Sequence, residues 1–444
     1  MTKKSFLVWN LLFFSFWGIS LGEMQAQKDL SFPVSQYKLK NGLQVILSEE
    51  NSLPLVSVVV AYNVGAINEV PGKTGLAYLL QNLMFQGSEN ISQMQHVRFI
   101  NRIGGQLNAT TTSDSTLFYQ TVPSNQLALV LWLESDRMKS LDLNVPTVER
   151  TKLTIIEEIR QRKANEPYLE SSLAFDVLLY PDFAYNHSLI GNEEDVANIT
   201  LEDVVDFYST YYVPNNAVLC ITGNINKAKT KELVSRYFET IPRGKEIPSL
   251  LPPKPVEKKP IMKTFTDSLA PSPGFHLAYR MAPPQSDDFY ALTILDYLLF
   301  RGKSSRLYKR LFKKERIVVD FSGTIERRKN IAAYKMFAMN NNEIMVDRCQ
   351  KAIFSELDKL KSAFVSEAEL KKVKNMFKMD YLERFSTCQD KAIFLCEFHL
   401  AQLNLEALPA ELDKYLQVTP AAIIGIANRY FTEENSVLLN IKIR

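Results

Sequence analysis

Tyr78, Gln81 and Asn82 stand at i, i+3 and i+4 within residues 75–88, which read Gly-Leu-Ala-Tyr-Leu-Leu-Gln-Asn-Leu-Met-Phe-Gln-Gly-Ser. At 3.6 residues per turn, Leu76, Leu79, Leu80 and Leu83 share one apolar helical face, and the three polar residues gather on the opposite one. Filled with two imidazoles and a carboxylate, such spacing holds a metal ion and a general base on one turn of helix. The residues present lack that chemistry. Tyr78 offers a phenol of pKa near ~10, protonated at neutral pH. Asn82 offers a neutral amide, and Gln81 has no basic oxygen to take a proton from water. The four histidines, His96, His187, His276 and His399, show no paired spacing and read as ordinary surface or core residues.

The surrounding elements mix strands and amphipathic helices. Residues 44–47 and 56–62 are strand-like runs rich in Val and Ile, with further strands at 116–119 and 217–221. Helices are expected over 75–88, 124–138, 148–162, 169–179 and 201–211. Strands first, helices next and a returning strand describe an α+β layer domain. The pattern then recurs. Thr200, Tyr211-Tyr212, Asn216 and Val218-Leu219 reappear 219 positions later as Thr419, Tyr430-Phe431, Asn435 and Val437-Leu438, without a gap, which argues for an internal duplication. Six prolines from Pro242 to Pro260, mixed with Lys and Glu, suit an exposed connector over 242–262. The expected organisation is therefore 27–241, a linker, and 263–444.

With 444 residues, 46% of them hydrophobic, the chain can bury two substantial cores. A net charge of only +3 gives no reason to expect nucleic acid as a partner. Lys3-Lys4, an uncharged Leu/Phe/Trp-rich run over 5–22, and a small residue at Ala26 have the three-part layout of a cleaved signal peptide, residues 1–26. Export, to a periplasm in particular, is the expectation. An uncleaved membrane anchor is the alternative, because the apolar run approaches the ~18 residues that nearly span a bilayer. No membrane span is expected after signal removal. Cys388 and Cys396, eight apart in a helical pattern, lie ~12 Å apart along one helix, too far to bridge. Cys220 falls in an apolar strand run, and no structural disulfide is expected.

Several separated segments together resemble the pitrilysin/insulinase peptidases, the inverzincins. They are residues 39–47 with an Asn41-Gly42 turn, 64–66 and 69–72, Thr74 through the 75–88 helix, 104–110, Glu157-Glu158, Ile190-Gly191, 201–216 and 304–311. The family's zinc motif is His-x-x-Glu-His. On that resemblance Tyr78, Gln81 and Asn82 occupy the two ligand positions and the base position, and Glu158 matches the distal third ligand. The resemblance implies two homologous αβ-roll domains forming half of a clamshell. It also implies a sheet edge at Gly104, Gly105, Asn108, Ala109 and Thr110 that pairs with extended peptides, with Asp114 and Thr116 in its continuation. An Arg and a Tyr that grip substrate in the family align with Phe312 and Val319 here.

Zinc in the related enzymes needs three protein ligands and an open position, so no metal or other cofactor is expected in this chain. The resemblance then implies a non-catalytic homologue paired with a zinc-bearing chain, the two enclosing a peptide. Two alternatives remain open: a metal-dependent endopeptidase with a non-standard site using Glu157 and Glu158, and a purely structural assembly subunit.

Overall fold

The computed structural model describes residues 33–250 and 259–444. The segment 1–26, expected from its sequence to be a signal peptide, and the middle of the Pro-rich stretch, 251–258, lie outside the described residues. Two mixed sheets, each with its own helices, make the fold α+β. The first contains β1 (Val34–Lys38), β2 (Gln44–Glu49), β3 (Leu55–Tyr62), β4 (Gln106–Thr111), β5 (Thr116–Pro123) and β6 (Ala217–Gly223), in the order β1-β2-β6-β3-β5-β4. The second contains β7 (Ile261–Asp267), β8 (Gly274–Met281), β9 (Val318–Arg328), β10 (Ile331–Asn340) and β11 (Ser436–Ile443), in the order β7-β11-β8-β10-β9.

The two sheets are built alike. In each, the closing strand runs parallel to the opening one (β6 with β2, β11 with β7) and every other pairing within these five-strand sets is antiparallel. β1 is an addition to the first. The 219-residue offset extends to single hydrogen bonds. Thr200 and Thr419 each cap the following helix through a side-chain oxygen. Asn216 Nδ2 donates to the Tyr211 carbonyl at 2.8 Å, and Asn435 Nδ2 donates to the Tyr430 carbonyl at 2.8 Å.

The central strands β2, β3, β6 and β8 read as near-continuous apolar runs because both their faces are covered. On β3, Val56, Val58, Val60 and Tyr62 point into the core under the N-terminal helices, while Val59 and Ala61 point into the core of the other half. The cover on that second face is exchanged. Helix Cys388–Leu400 of the C-terminal half lies over Ile46, Val59, Ala61 and Cys220 of the first sheet. Helix Leu169–Leu179 of the N-terminal half lies over Ala278, Ala333, Val437 and Leu439 of the second. These helices begin 219 positions apart, so the exchange follows the duplication. Alanine and cysteine on the covered faces let a helix backbone come close, and Thr222 Oγ1 donates to the Cys388 carbonyl at 2.5 Å.

The predicted 75–88 helix is shorter than its pattern. It spans Leu76–Leu83, and the chain leaves helical geometry after Met84. The helix predicted over 148–162 runs longer, Val145–Asn165, with Asn144 capping it. Among the described residues no helix is long and apolar enough to cross a membrane.

Phe175 has no exposed surface and stacks on His276 at 5.1 Å between centroids. Phe175→Ala removes the anchor of one exchanged helix and is expected to cost about 3–5 kcal/mol in urea unfolding. A cost under about 1 kcal/mol would mean that this helix contributes little to holding the halves together.

Candidate functional site

The Leu76–Leu83 helix starts in a tight crossing of two chain segments. Gly75 (φ +87°) and Gly191 (φ +78°) touch there: a Cβ on Gly75 would lie 2.6 Å from the Ile190 carbonyl oxygen, and one on Gly191 would lie 2.3 Å from that of Thr74. Only glycine fits both positions. Thr74 Oγ1 donates to Asp195 at 2.5 Å and Lys73 pairs with Asp203 at 2.6 Å, which ties the helix start to the following layer. Gly75 brings no capping side chain. The buried Glu69 carboxylate supplies the acceptor instead, receiving the Gly75 and Ala77 amides at 2.9 and 2.8 Å. A negative group there also answers the helix dipole.

His187 Nε2 lies 3.0 Å from Glu69. Burial works to lower the His187 pKa, but the Glu69 hydrogen bond and charge outweigh it and leave it raised. Sequence reasoning missed this pair. His187 has no helical or motif relation to Glu69, 118 residues away, so no local signal marks it.

Past the anchored start, Tyr78, Gln81 and Asn82 are each half-buried and each hydrogen-bonded. The Tyr78 hydroxyl donates to both oxygens of Glu158, at 3.2 and 3.1 Å. Burial, and then the Glu158 charge, raise the Tyr78 pKa, so the phenol stays protonated and keeps donating. Asn82 Nδ2 turns back to the Tyr78 carbonyl of its own helix at 2.9 Å. Gln81 Oε1 accepts from Thr111 Oγ1, at the end of β4, at 2.7 Å. The structure therefore brings Tyr78 and Glu158 together, although they are 80 residues apart.

These residues do not fit a catalytic zinc. Its ligands would be basic lone pairs, whereas the Tyr78 phenol is a protonated donor and the Asn82 amide group is engaged with backbone. Among the described residues no three His, Cys, Asp or Glu side chains converge as a metal would require. Of the histidines, His96 is buried against Gln120 Oε1 at 3.2 Å, His276 is sandwiched by Phe175 and Phe337, and His399 is half-buried near Lys38.

β4 forms the outer edge of its sheet and pairs only with β5. Asn108 and Thr110 are exposed, Ala109 is half-buried, and Gly104 (φ +72°) and Gly105 turn the chain into the strand. The Ala109 amide donates to Asn108 Oδ1 at 2.8 Å, so it faces away from β5 and is capped by its neighbour. The β4–β5 turn meets the other half: the Lys329 amide, in the β9–β10 turn, donates to Asp114 Oδ2 at 2.9 Å. The segments aligned with the family's substrate grip lie in that half. Phe312 sits in a π-helical stretch, Tyr308–Glu315, stacked on Tyr308 at 4.8 Å, and Val319 is half-exposed on the edge strand β9.

Two family models match this chain: "Insulinase (Peptidase family M16)" over residues 44–183 and "Peptidase M16 inactive domain" over residues 198–377. Between them they span most of it, and the chain belongs to the M16 insulinase family. It is 29% identical to the zinc protease PqqE of Helicobacter pylori over 91% of each chain. The crystal structure of a protease from Helicobacter pylori superposes with a TM-score of 0.88 at 28% identity, covering 93% of this chain and all of that one. The periplasmic protease PqqL of Escherichia coli shares the fold at 17% identity, with a TM-score of 0.78 over 92% of this chain but only 47% of its own.

Two predictions follow from the geometry. Replacing Tyr78→His, Gln81→Glu and Asn82→His together restores two imidazoles facing Glu158, and the folded variant is expected to bind zinc at one equivalent by atomic absorption after dialysis. A well-folded variant that retains none would show that Glu158 does not stand where the third ligand must. The second concerns Asp114, whose pKa burial raises to about 6, with Arg328, Lys329 and the Lys329 amide opposing burial and Glu326 reinforcing it. The folded state then holds this proton more tightly than the unfolded chain, so stability falls as pH rises from about 4 to about 6, on the order of 3 kcal/mol. Asp114→Asn is expected to flatten that part of the urea-unfolding profile. An unchanged slope would remove Asp114 as its source.

Proposed function

We propose that this chain is a non-catalytic, exported M16 subunit that pairs with a zinc-bearing homologous chain and helps enclose extended peptides. The observation that carries this reading is the Tyr78–Glu158 hydrogen bond, which places a neutral phenol against the one acidic remnant of a ligand set. Gln81, in the base position, accepts a hydrogen bond from the Thr111 hydroxyl and has no basic oxygen with which to take a proton from water. That a chain of this size matches under half of PqqL suits a unit completed by a second, similar half. The exposed β4 edge, with Gly104 and Gly105 leading into Asn108, Ala109 and Thr110, supplies backbone groups for an extended peptide. Periplasmic location rests on the layout of residues 1–26.

The zinc-protease name of the Helicobacter pylori relative favours a second reading, a metal-dependent endopeptidase with a non-standard site. Glu157 and Glu158 do front an open depression of about 800 Å³, together with Leu153, Thr154 and Gln161.

Zinc content and cleavage of a quenched fluorescent peptide, measured for the purified chain alone and mixed with a zinc-bearing homologous chain, separate the two. The expected result is no bound zinc and no cleavage alone, with faster cleavage by the mixture than by the partner by itself. Stoichiometric zinc with chelator-sensitive cleavage by this chain alone would establish the second reading instead.

A further inference from the structure

The exchanged helix Cys388–Leu400 sets two cysteines from opposite halves of the chain against each other. Cys220 lies on β6, a strand flanked by β2 and β3, and Cys396 lies two helical turns after Cys388. Both have no exposed surface, and both are free thiols in the same core. The helix packs directly on β3 and β6, and Cys220 is the neighbouring group that, after burial, bears most on the Cys396 thiol. The helix is pinned at its start, where Thr222 Oγ1 donates to the Cys388 carbonyl and Ser57 Oγ lies 3.1 Å from Cys388 Sγ. Between the two cysteines of the helix, Ala392 adds almost no bulk, so the backbone sits close to the sheet around Cys220. A test of cysteine spacing along the sequence considers Cys388 with Cys396 and cannot find this pair, because it forms only when the halves interlock.

We propose that Cys220 and Cys396 are a redox-closable pair whose disulfide staples the C-terminal half to the N-terminal sheet. In closing, the two S–H bonds break and one S–S bond forms, releasing two protons and two electrons. A small-molecule disulfide such as oxidised glutathione takes them up and is cleaved to two thiols. Burial and the neighbouring sulfur push the Cys396 thiol up, so little thiolate exists once the core is sealed. The bond therefore forms as the halves come together, while the thiols are still wet. It closes a long loop and so restricts the unfolded chain more than the folded one. The inference does not depend on the proposed partner or on peptide binding.

The test is to produce the full chain by cell-free synthesis, once with a thiol reductant and once with a reduced/oxidised glutathione pair. Peptide mapping without reduction, intact mass and thermal unfolding are then read on both samples. Expected in the glutathione sample are a peptide linking Cys220 to Cys396, a mass lower by about two hydrogens, and a Tm higher by roughly 5 °C that falls back on reduction. Cys220→Ala and Cys396→Ala each abolish the link and the redox dependence of Tm, while Cys349→Ala keeps both. Four free thiols in a folded glutathione sample, or a link through Cys388 or Cys349, would overturn the proposal. So would a glutathione sample that fails to fold when the reduced one does, since the bond would then be incompatible with native packing.

Discussion

In this chain each half buries one face of its sheet under its own helices and leaves the other face to be covered by a helix from its partner half. Helix Leu169–Leu179 and helix Cys388–Leu400 make this a reciprocal constraint, because neither sheet has a complete cover without the other half. Phe175 and Leu179 on one side, and Ala392, Leu395 and Cys396 on the other, are fully buried by the exchange. Polar groups seal its margins. Arg280 donates to the Leu179 carbonyl at 3.2 Å, and Lys391 reaches Glu50 at 3.4 Å. Everything at the candidate site is referred to the first sheet. The Leu76–Leu83 helix packs on the face opposite the exchanged one, and β4 hangs from its edge.

Much of this was legible in residues. The four predicted strands of the N-terminal half occur as β2, β3, β5 and β6, and the 219-residue offset reappears as matched strand order and matched asparagine hydrogen bonds. Gly75 and Gly191 were visible as motif glycines, and their mutual contact supplies the reason. The exchange itself was not legible. Helix 169–179 has the apolar content of any packed helix, and nothing along the chain says whose sheet it covers. The alternation on β3 is likewise hidden, since a strand buried on both faces loses the period-two signal that would separate its two cores. The Glu69–His187 pair and the Thr111–Gln81 bond join residues with no periodic relation, so only the folded layers reveal them.

The chemistry of the degenerate helix follows from satisfying polar groups that a metal would otherwise organise. A half-buried carboxylate must find a donor, because an unpaired buried charge is costly. The Tyr78 phenol is long enough to reach Glu158 from the neighbouring helix and donates to it as a neutral group. Charge-assisted hydrogen bonds of this kind contribute about 1.5–3 kcal/mol. The polar groups on this helix face are thus satisfied within the protein itself. Asn82, closed onto the Tyr78 carbonyl, spends its donor on the helix.

The sheet edge is separable from that change. β4 is held by its ladder to β5, by Gly105 packed against Val122 and Ile100, and by the β4–β5 turn clasped at Asp114. None of these contacts uses Tyr78, Asn82 or Glu158. Among the described residues, the side-chain hydrogen bond from the helix to the strand joins Gln81 to Thr111, at the far end from Gly104 and Gly105. Loss of the ligand set therefore leaves the strand's position and its outward amides intact. The Ala109 amide, held only by the exposed Asn108 side chain, can pass to another acceptor at the cost of one surface hydrogen bond. In a chain of this build the residues at 78, 82 and 158 can change while the sheet edge keeps its outward backbone groups.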